Sequence, residues 1–183
     1  MAYLDLLMRW NKKINLTAIR NADDCVTKHF GESMFLSRFV ELSGGLLDVG
    51  SGAGFPGLAL KVAFPSLAVT LLEPVAKKRA FLKEVARVCS MDSVEVRGER
   101  LEDFLSGMPV ARFDTVTARA VGQLDSLVPE AARCLAAGGR LALWLSHRQS
   151  VTLLRETSTL SWADPIQVPL GHESEILVGT LKV

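Results

Sequence analysis

Asp48, Gly50, Gly52, Gly54 and Glu73 are the residues whose types and spacing could do chemistry. The first four lie in Leu46-Leu-Asp-Val-Gly-Ser-Gly-Ala-Gly-Phe-Pro-Gly57, an apolar run that reaches an acid and then breaks into alternating glycines. Glycine lets a chain turn at positive φ and lets a ligand approach where a Cβ would obstruct it. A helix that follows such a turn offers unpaired N–H groups to ligand oxygens. Glu73 ends the next apolar run, Leu67-Ala-Val-Thr-Leu-Leu-Glu73, 23 residues after Gly50. That is the separation of one strand–helix–strand step, and an acid there can accept both hydroxyls of a ribose. The set favours a nucleoside site over a purely structural turn with an incidental surface acid. The dinucleotide fingerprint Gly-x-Gly-x-x-Gly is not met, because Phe55 stands where its third glycine belongs, so NAD is the poorer fit.

The elements that must hold these residues follow from hydrophobic periodicity. Residues 2–13 read as an amphipathic helix with Tyr3, Leu6, Leu7 and Trp10 on one face, and Asn11 to Thr17 as a polar junction. A second helix is expected over about 22–40, with Val26, Phe30, Leu36 and Val40 turned inward. Strands at 46–49, 68–72, 94–97, 114–118 and 140–145 then alternate with helices at about 57–63, 77–88 and 124–135, Gly138-Gly139 ending the last helix. Two tail strands, 165–168 and 176–183, flank a turn at Gly171-His-Glu-Ser174. Continuous apolar strands alternating with helices predict an α/β, doubly wound, mostly parallel sheet with an antiparallel edge hairpin. Ligands of such sheets bind beyond the carboxyl ends of the strands. Gly50, Glu73, Glu99 to Glu102 and Ala118 to Ala120 should all face that crevice.

The chain of 183 residues suits one domain with a short extension. Hydrophobic residues make up 49% and the net charge is +1, the balance of a soluble globular protein, so any nucleic-acid surface must come from clustered rather than abundant cations. No apolar run is long enough to span a membrane, and the charged N-terminus lacks a signal-peptide pattern. Cys25, Cys89 and Cys134 are odd in number and far apart, which indicates neither a zinc site nor a disulfide framework. A reducing cytoplasm is the simplest setting.

The loop from Asp48 to Gly57, with Glu73, resembles motif I of the Rossmann-like S-adenosylmethionine (SAM) methyltransferases. Longer stretches resemble one family, the small-subunit (16S) ribosomal RNA guanine-N7 methyltransferases known as RsmG or GidB. They are Trp10-Asn-Lys-Lys-Ile-Asn-Leu-Thr17, Lys28-His-Phe-Gly-Glu-Ser33, Lys77-Lys-Arg-Ala-Phe-Leu82, Gly98-Glu-Arg-Leu-Glu-Asp-Phe104 and Phe113-Asp-Thr-Val-Thr-Ala-Arg-Ala120. The resemblance implies a class I SAM-dependent methyltransferase domain over 43–183, a helical extension over 1–42, and SAM as cofactor. It further implies 16S rRNA in the small ribosomal subunit as partner, and a monomeric cytoplasmic enzyme without metal or membrane. Two departures stand out. The chain begins closer to its first helix than the family does, and Leu145 stands where the family's fifth strand carries Lys, with His147 and Arg148 nearby.

By the same resemblance, the cofactor-binding residues are Asp48, Gly50, Gly52, Gly54, Phe55, Glu73, Leu101, Glu102 and Arg119, with Leu101 and Glu102 at the adenine end. Arg119, in an apolar setting, needs a fixed anion or base partner; a structural ion pair is its alternative role. His29 is a candidate at the reacting centre or a satisfied core histidine. Asn11, Lys12, Asn15 and Thr17 line the substrate entrance or cap a helix junction. Lys77, Lys78 and Arg79 form a phosphate-facing patch or a solvated face. Guanine N7 carries a free lone pair, so methyl transfer to it needs neither nucleophile, metal nor general base. Catalytic residues in the strict sense are therefore unknown, with Arg119 and His29 as candidates. A methyltransferase with a non-RNA substrate and a non-catalytic SAM- or RNA-binding protein remain the alternatives.

Overall fold

The computed structural model describes residues 2–107, 113–120, 122–155, 159–169 and 174–182. Five apolar runs form β1 (Gly45–Val49), β2 (Ala68–Leu72), β3 (Val94–Arg97), β4 (Phe113–Arg119) and β5 (Leu135–Ser146). They pair in parallel in the order β3-β2-β1-β4-β5, and β6 (Leu160–Trp162) and β7 (Ile166–Gln167) precede β8 (Ser174–Leu181). The last strand runs antiparallel to β5 and takes β6 and β7 on its other edge. Central β1 is apolar at nearly every position because both faces of the sheet are covered.

One face is covered by α1 (Ala2–Ile14), a second helical run, α4 (Gly57–Ala63) and α5 (Ala76–Val88). The second run begins as α2 (Ala22–Cys25), widens to a π-helix at Val26–Gly31, returns to α3 (Glu32–Met34) and tightens to a 3₁₀ turn at Phe35–Arg38. The opposite face carries α6 (Leu101–Ser106), α7 (Leu124–Cys134) and α8 (His147–Arg155). Tyr3, Leu6 and Leu7 of α1 join Leu46, Phe55 and Leu58 in one continuous core, so the N-terminal helices roof the sheet rather than dangle from it.

Several expectations need correction. The second helical run stops at Arg38, and Val26 is 49% exposed while Cys25 is buried. The Asn21 side chain accepts the Asp24 N–H and fixes the phase of the run at its start, which gives the core position to Cys25. Gly138-Gly139 does not end α7; the helix closes at Cys134, and Leu135 already pairs with Phe113. The glycines lie in an irregularity of β5 before pairing resumes at Thr115–Arg140, with Gly138 at φ +72°. β6 and α8 were not expected; β6 is three residues long and forms because β8 presents a second edge. Residues 171–173 of the expected tail turn, and Val183 of the last strand, lie outside the described residues.

Candidate cofactor and substrate site

The carboxyl ends of β1, β2 and β4 meet at the glycine loop. Gly50, Gly52 and Gly54 all adopt positive φ, at 70°, 55° and 89°. The Gly50 and Ser51 N–H groups donate to the Leu72 carbonyl at 2.9 and 3.0 Å, which ties the loop to the end of β2. Glu73 then locks it: its Oε2 accepts the Gly52 N–H at 2.9 Å and its Oε1 the Val75 N–H at 2.8 Å. A carboxylate has about four lone-pair sites, so acceptor capacity remains for hydroxyl donors. Asp48 is fully buried beneath the loop, where Thr117 Oγ1 donates to it at 2.8 Å and the Gly57 N–H at 3.2 Å. Burial pushes the Asp48 carboxyl up to about 6, against the lowering effect of these hydrogen bonds.

Beside the loop lies a cavity of about 310 Å³. Its walls include Gly50, Leu72, Glu99, Leu101, Glu102 and Gln123. Leu101 is buried and supplies an apolar wall, while Glu102 is exposed at its rim. The Arg97 guanidinium holds the Glu99 carboxyl well below the usual range, down to about 2, by a hydrogen bond. An apolar slot with carboxylates at its edge suits a flat base bearing an amino group. A Cβ on Gly52 would meet nothing nearer than the Gly50 carbonyl at 3.8 Å, so the loop is open there, as a ligand cradle requires. Of the expected cofactor residues, Gly50, Leu101 and Glu102 line this cavity, and Asp48 and Glu73 brace the loop from below.

Phe55 lies elsewhere. Its ring stacks between Tyr3, at 5.5 Å, and His29, at 4.7 Å, with Phe30 edge-on. Gly54 is confined by the same cluster, since a Cβ there would collide with the Tyr3 hydroxyl and with Leu58. That hydroxyl donates to the Ala53 carbonyl at 2.5 Å, so α1 clamps the glycine loop directly. Burial pushes the Tyr3 hydroxyl's pKa well up, which keeps it a donor.

His29 and Arg119 meet across the seam between the N-terminal helices and β4. The His29 Nε2 pairs with Thr17 Oγ1 at 2.7 Å. Burial and then the Arg119 charge depress its pKa to about 4, so the ring is neutral at physiological pH and a weak base. Arg119 Nη2 donates to Glu32 Oε2 at 2.7 Å and to the Lys28 carbonyl at 2.9 Å. Arg119 therefore makes an ion pair with Glu32, an acid the sequence showed only inside the stretch Lys28–Ser33. Asn11 accepts the Thr17 N–H at 2.9 Å and donates to the Ile19 carbonyl at 3.0 Å, and Asn15 accepts from Arg20 at 3.1 Å, so this junction is self-capped. Lys12 and Lys77 are exposed, whereas Arg79 donates to the Glu73 carbonyl at 3.0 Å. Leu145 is buried in the core, and His147 pairs with Glu175 at 2.8 Å. Tyr3, Glu32 and Thr117 are the residues that sequence reasoning passed over as site elements. Only Tyr3 carried a signal, as the single tyrosine of the chain.

Residues 1–174 match the family GidB, rRNA small subunit methyltransferase G. The chain belongs to this family. A ribosomal RNA small subunit methyltransferase G from Chloroflexus aggregans is 43% identical over 190 aligned positions, covering 99% of this chain and 79% of that protein. One from Alkalilimnicola ehrlichii is 43% identical over 141 positions, covering 77% of this chain and 62% of that protein, less than two thirds of its length. Among solved structures, a SAM-dependent methyltransferase from Aquifex aeolicus superposes with a TM-score of 0.70 at 16% identity, over 86% of this chain and 93% of that one. The GidB chain thus has the fold of SAM-dependent methyltransferases, with a helical N-terminus and an antiparallel sheet edge. Among its described residues no helix is long and apolar enough to cross a membrane.

Proposed function

We propose that this chain transfers the methyl group of SAM to N7 of a guanine in 16S rRNA, acting as a cytoplasmic monomer on the small ribosomal subunit. Membership of the GidB family over residues 1–174 carries the reading. The open glycine loop, the Glu73 brace and the adjacent cavity support SAM as the methyl donor. In this reading residues 43–183 form the methyltransferase domain and residues 1–42 an extension that helps shape its site.

The residues present fit SAM. Gly50, Gly52 and Gly54 make room for the amino-acid portion, Glu73 accepts ribose hydroxyls with its unused lone pairs, and Leu101 with Glu102 encloses the adenine. Asp48 acts from below, through its bond to the Gly57 N–H at the start of α4. The bound sulfonium supplies an activated methyl group. The guanine N7 lone pair forms the new N–C bond, the C–S pair stays on sulfur, and the positive charge passes to the base without any proton moving. What the protein must supply is alignment and exclusion of water, and good positioning contributes about 7–11 kcal/mol. The neutral His29 fits such a site, because no step asks it to take a proton. The target guanine must be unpaired or turned out of its stack.

The deciding experiment incubates the protein with methyl-labelled SAM and small ribosomal subunits that lack the modification, with large subunits as control. Label in small-subunit RNA, released as 7-methylguanine, is the expected result. SAM binding without such label points to another substrate or to a binding protein. Gly52→Asp places a carboxylate where the loop is open and beside Glu73, and calorimetry should find SAM binding abolished. Unchanged affinity would remove the loop from the cofactor site.

A further inference from the structure

We propose that Glu32 sets Arg119 as a single-donor reader of the acceptor guanine, contacting O6 and leaving N7 free to attack. This rests on the guanine-N7 reaction proposed above. Arginine commonly grips guanine with a fork, one N–H on O6 and another on N7. Such a fork would be counterproductive here, because a donor on N7 engages the very lone pair that must form the bond to the methyl group.

Both fork geometries of a guanidinium use an Nη2 hydrogen, paired with Nη1 end-on or with Nε side-on. In this chain Nη2 already serves two acceptors, Glu32 Oε2 at 2.7 Å and the Lys28 carbonyl at 2.9 Å. Its two hydrogens are spent. Nη1, by contrast, is buried and has no hydrogen-bond partner among the described residues. A buried unpaired donor on a cation is costly, and such groups mark places where a ligand completes the set. The clamp is itself anchored. Glu32 is 6% exposed, and its carbonyl accepts the Trp144 indole N–H at 3.3 Å, while Trp144 is the residue paired with Arg119 in the sheet.

The location fits an acceptor base. Ala118 pairs with Val49, so Arg119 stands next to Gly50, at the mouth of the glycine loop. The chain then turns sharply at Ala120, which holds φ +54°, a conformation non-glycine residues rarely adopt and which clusters at functional sites. Glu32 has a second use. The methylated guanine becomes cationic, and the carboxylate offsets the charge of Arg119 beside it. Arg119 is thus a base-contacting residue and Glu32 a positioning residue.

The test combines Arg119→Met with small subunits reconstituted to carry 2-aminopurine, which keeps N7 and lacks O6, at the methylated position. For the native protein the base change should lower kcat/KM by about ten- to a hundredfold, the worth of one hydrogen bond to a charged donor. Arg119→Met should lose a similar factor on guanine and suffer no further loss on 2-aminopurine. An equal 2-aminopurine penalty in both proteins overturns the contact. Arg119→Met should keep the native SAM affinity by calorimetry; a loss of tenfold or more would assign Nη1 to the cofactor's carboxylate and overturn the proposal. Glu32→Gln supplies the independent arm. With Nη2 released, the fork onto N7 becomes available, so kcat should fall while KM for the subunit stays constant or drops. A raised KM at constant kcat would overturn the positioning role. Should native protein on native guanine give no 7-methylguanine, the functional reading itself fails, a result visible before any base or residue is changed.

Discussion

Gly52 and Gly54 both hold positive φ, +55° and +89°, for different reasons. Gly54 is hemmed in by the Tyr3 hydroxyl and Leu58, while Gly52 faces open space. Gly54→Ala therefore adds left-handed strain to a steric clash and should cost about 2–5 kcal/mol of stability in urea titrations. Gly52→Ala should cost only the strain, about 1–2 kcal/mol, yet weaken SAM binding more than its fold loss explains. Equal stability losses would contradict the difference in surroundings. Asp48 makes a pH prediction. Burial raises its pKa to about 6. A carboxyl whose folded pKa exceeds its unfolded value near 4 holds its proton more tightly when folded. It favours folding at low pH, and that contribution fades as pH rises through about 6. Asp48→Asn removes this dependence, so the stability of the variant relative to native protein should rise between pH 4 and pH 7. A flat difference would mean that Asp48 does not titrate as its burial demands.

At the level of elements, α1 is more than a cover, because Tyr3 carries it onto the glycine loop. Tyr3→Phe keeps the stacking with Phe55 but leaves the Ala53 carbonyl without its donor. Stability should fall by about 1–3 kcal/mol, and SAM affinity should fall with it as the loop loosens. An unchanged SAM Kd would show that the loop holds its shape without the clamp. The same element shows what a sequence can reveal. Tyr3, Leu6 and Leu7 repeat at helical spacing, and their burial was legible, as were β1, β2 and β3, whose apolar runs end in clear punctuation. The Tyr3–Ala53 bond was not legible, because it joins residues 50 apart through tertiary packing alone. The Arg119–Glu32 pair spans 87 residues and hid for the same reason. β6 was missed because three residues cannot display an alternation, and the start of β5 because Gly138-Gly139 reads as a helix stop when it is an irregularity in a strand. The glycine loop and its acid were legible because both ends of that interaction sit at strand ends, where sequence spacing maps onto space.

For the molecule as a whole, the extension and the sheet share one core, so they should unfold together. Residues 3–42 contribute Tyr3, Leu6, Leu7, Leu16, Cys25, Leu36, Val40 and Leu42 to the cluster that also holds Leu46, Leu58 and Phe81. The seam is further crossed by the Arg119–Glu32 ion pair, whose side chains are 19% and 7% exposed, and by the Trp144–Glu32 bond. An extension held only by exposed contacts would open on its own, as weakly packed segments do. One that supplies a third of a buried cluster cannot leave without exposing the sheet face beneath it. Trp10 lies in the extension and Trp162 on the far sheet edge, so each reports on one part. Proteins keeping one of these two tryptophans as the sole indole should, after correction for the substitutions' own effects, show urea transitions with coincident midpoints and slopes, the mark of a single cooperative unit. A Trp10 transition that precedes the Trp162 transition would instead make residues 1–42 a separately opening lid. The roof over the glycine loop would then be a variable of binding rather than a fixed wall, and SAM affinity should track the earlier transition as denaturant rises.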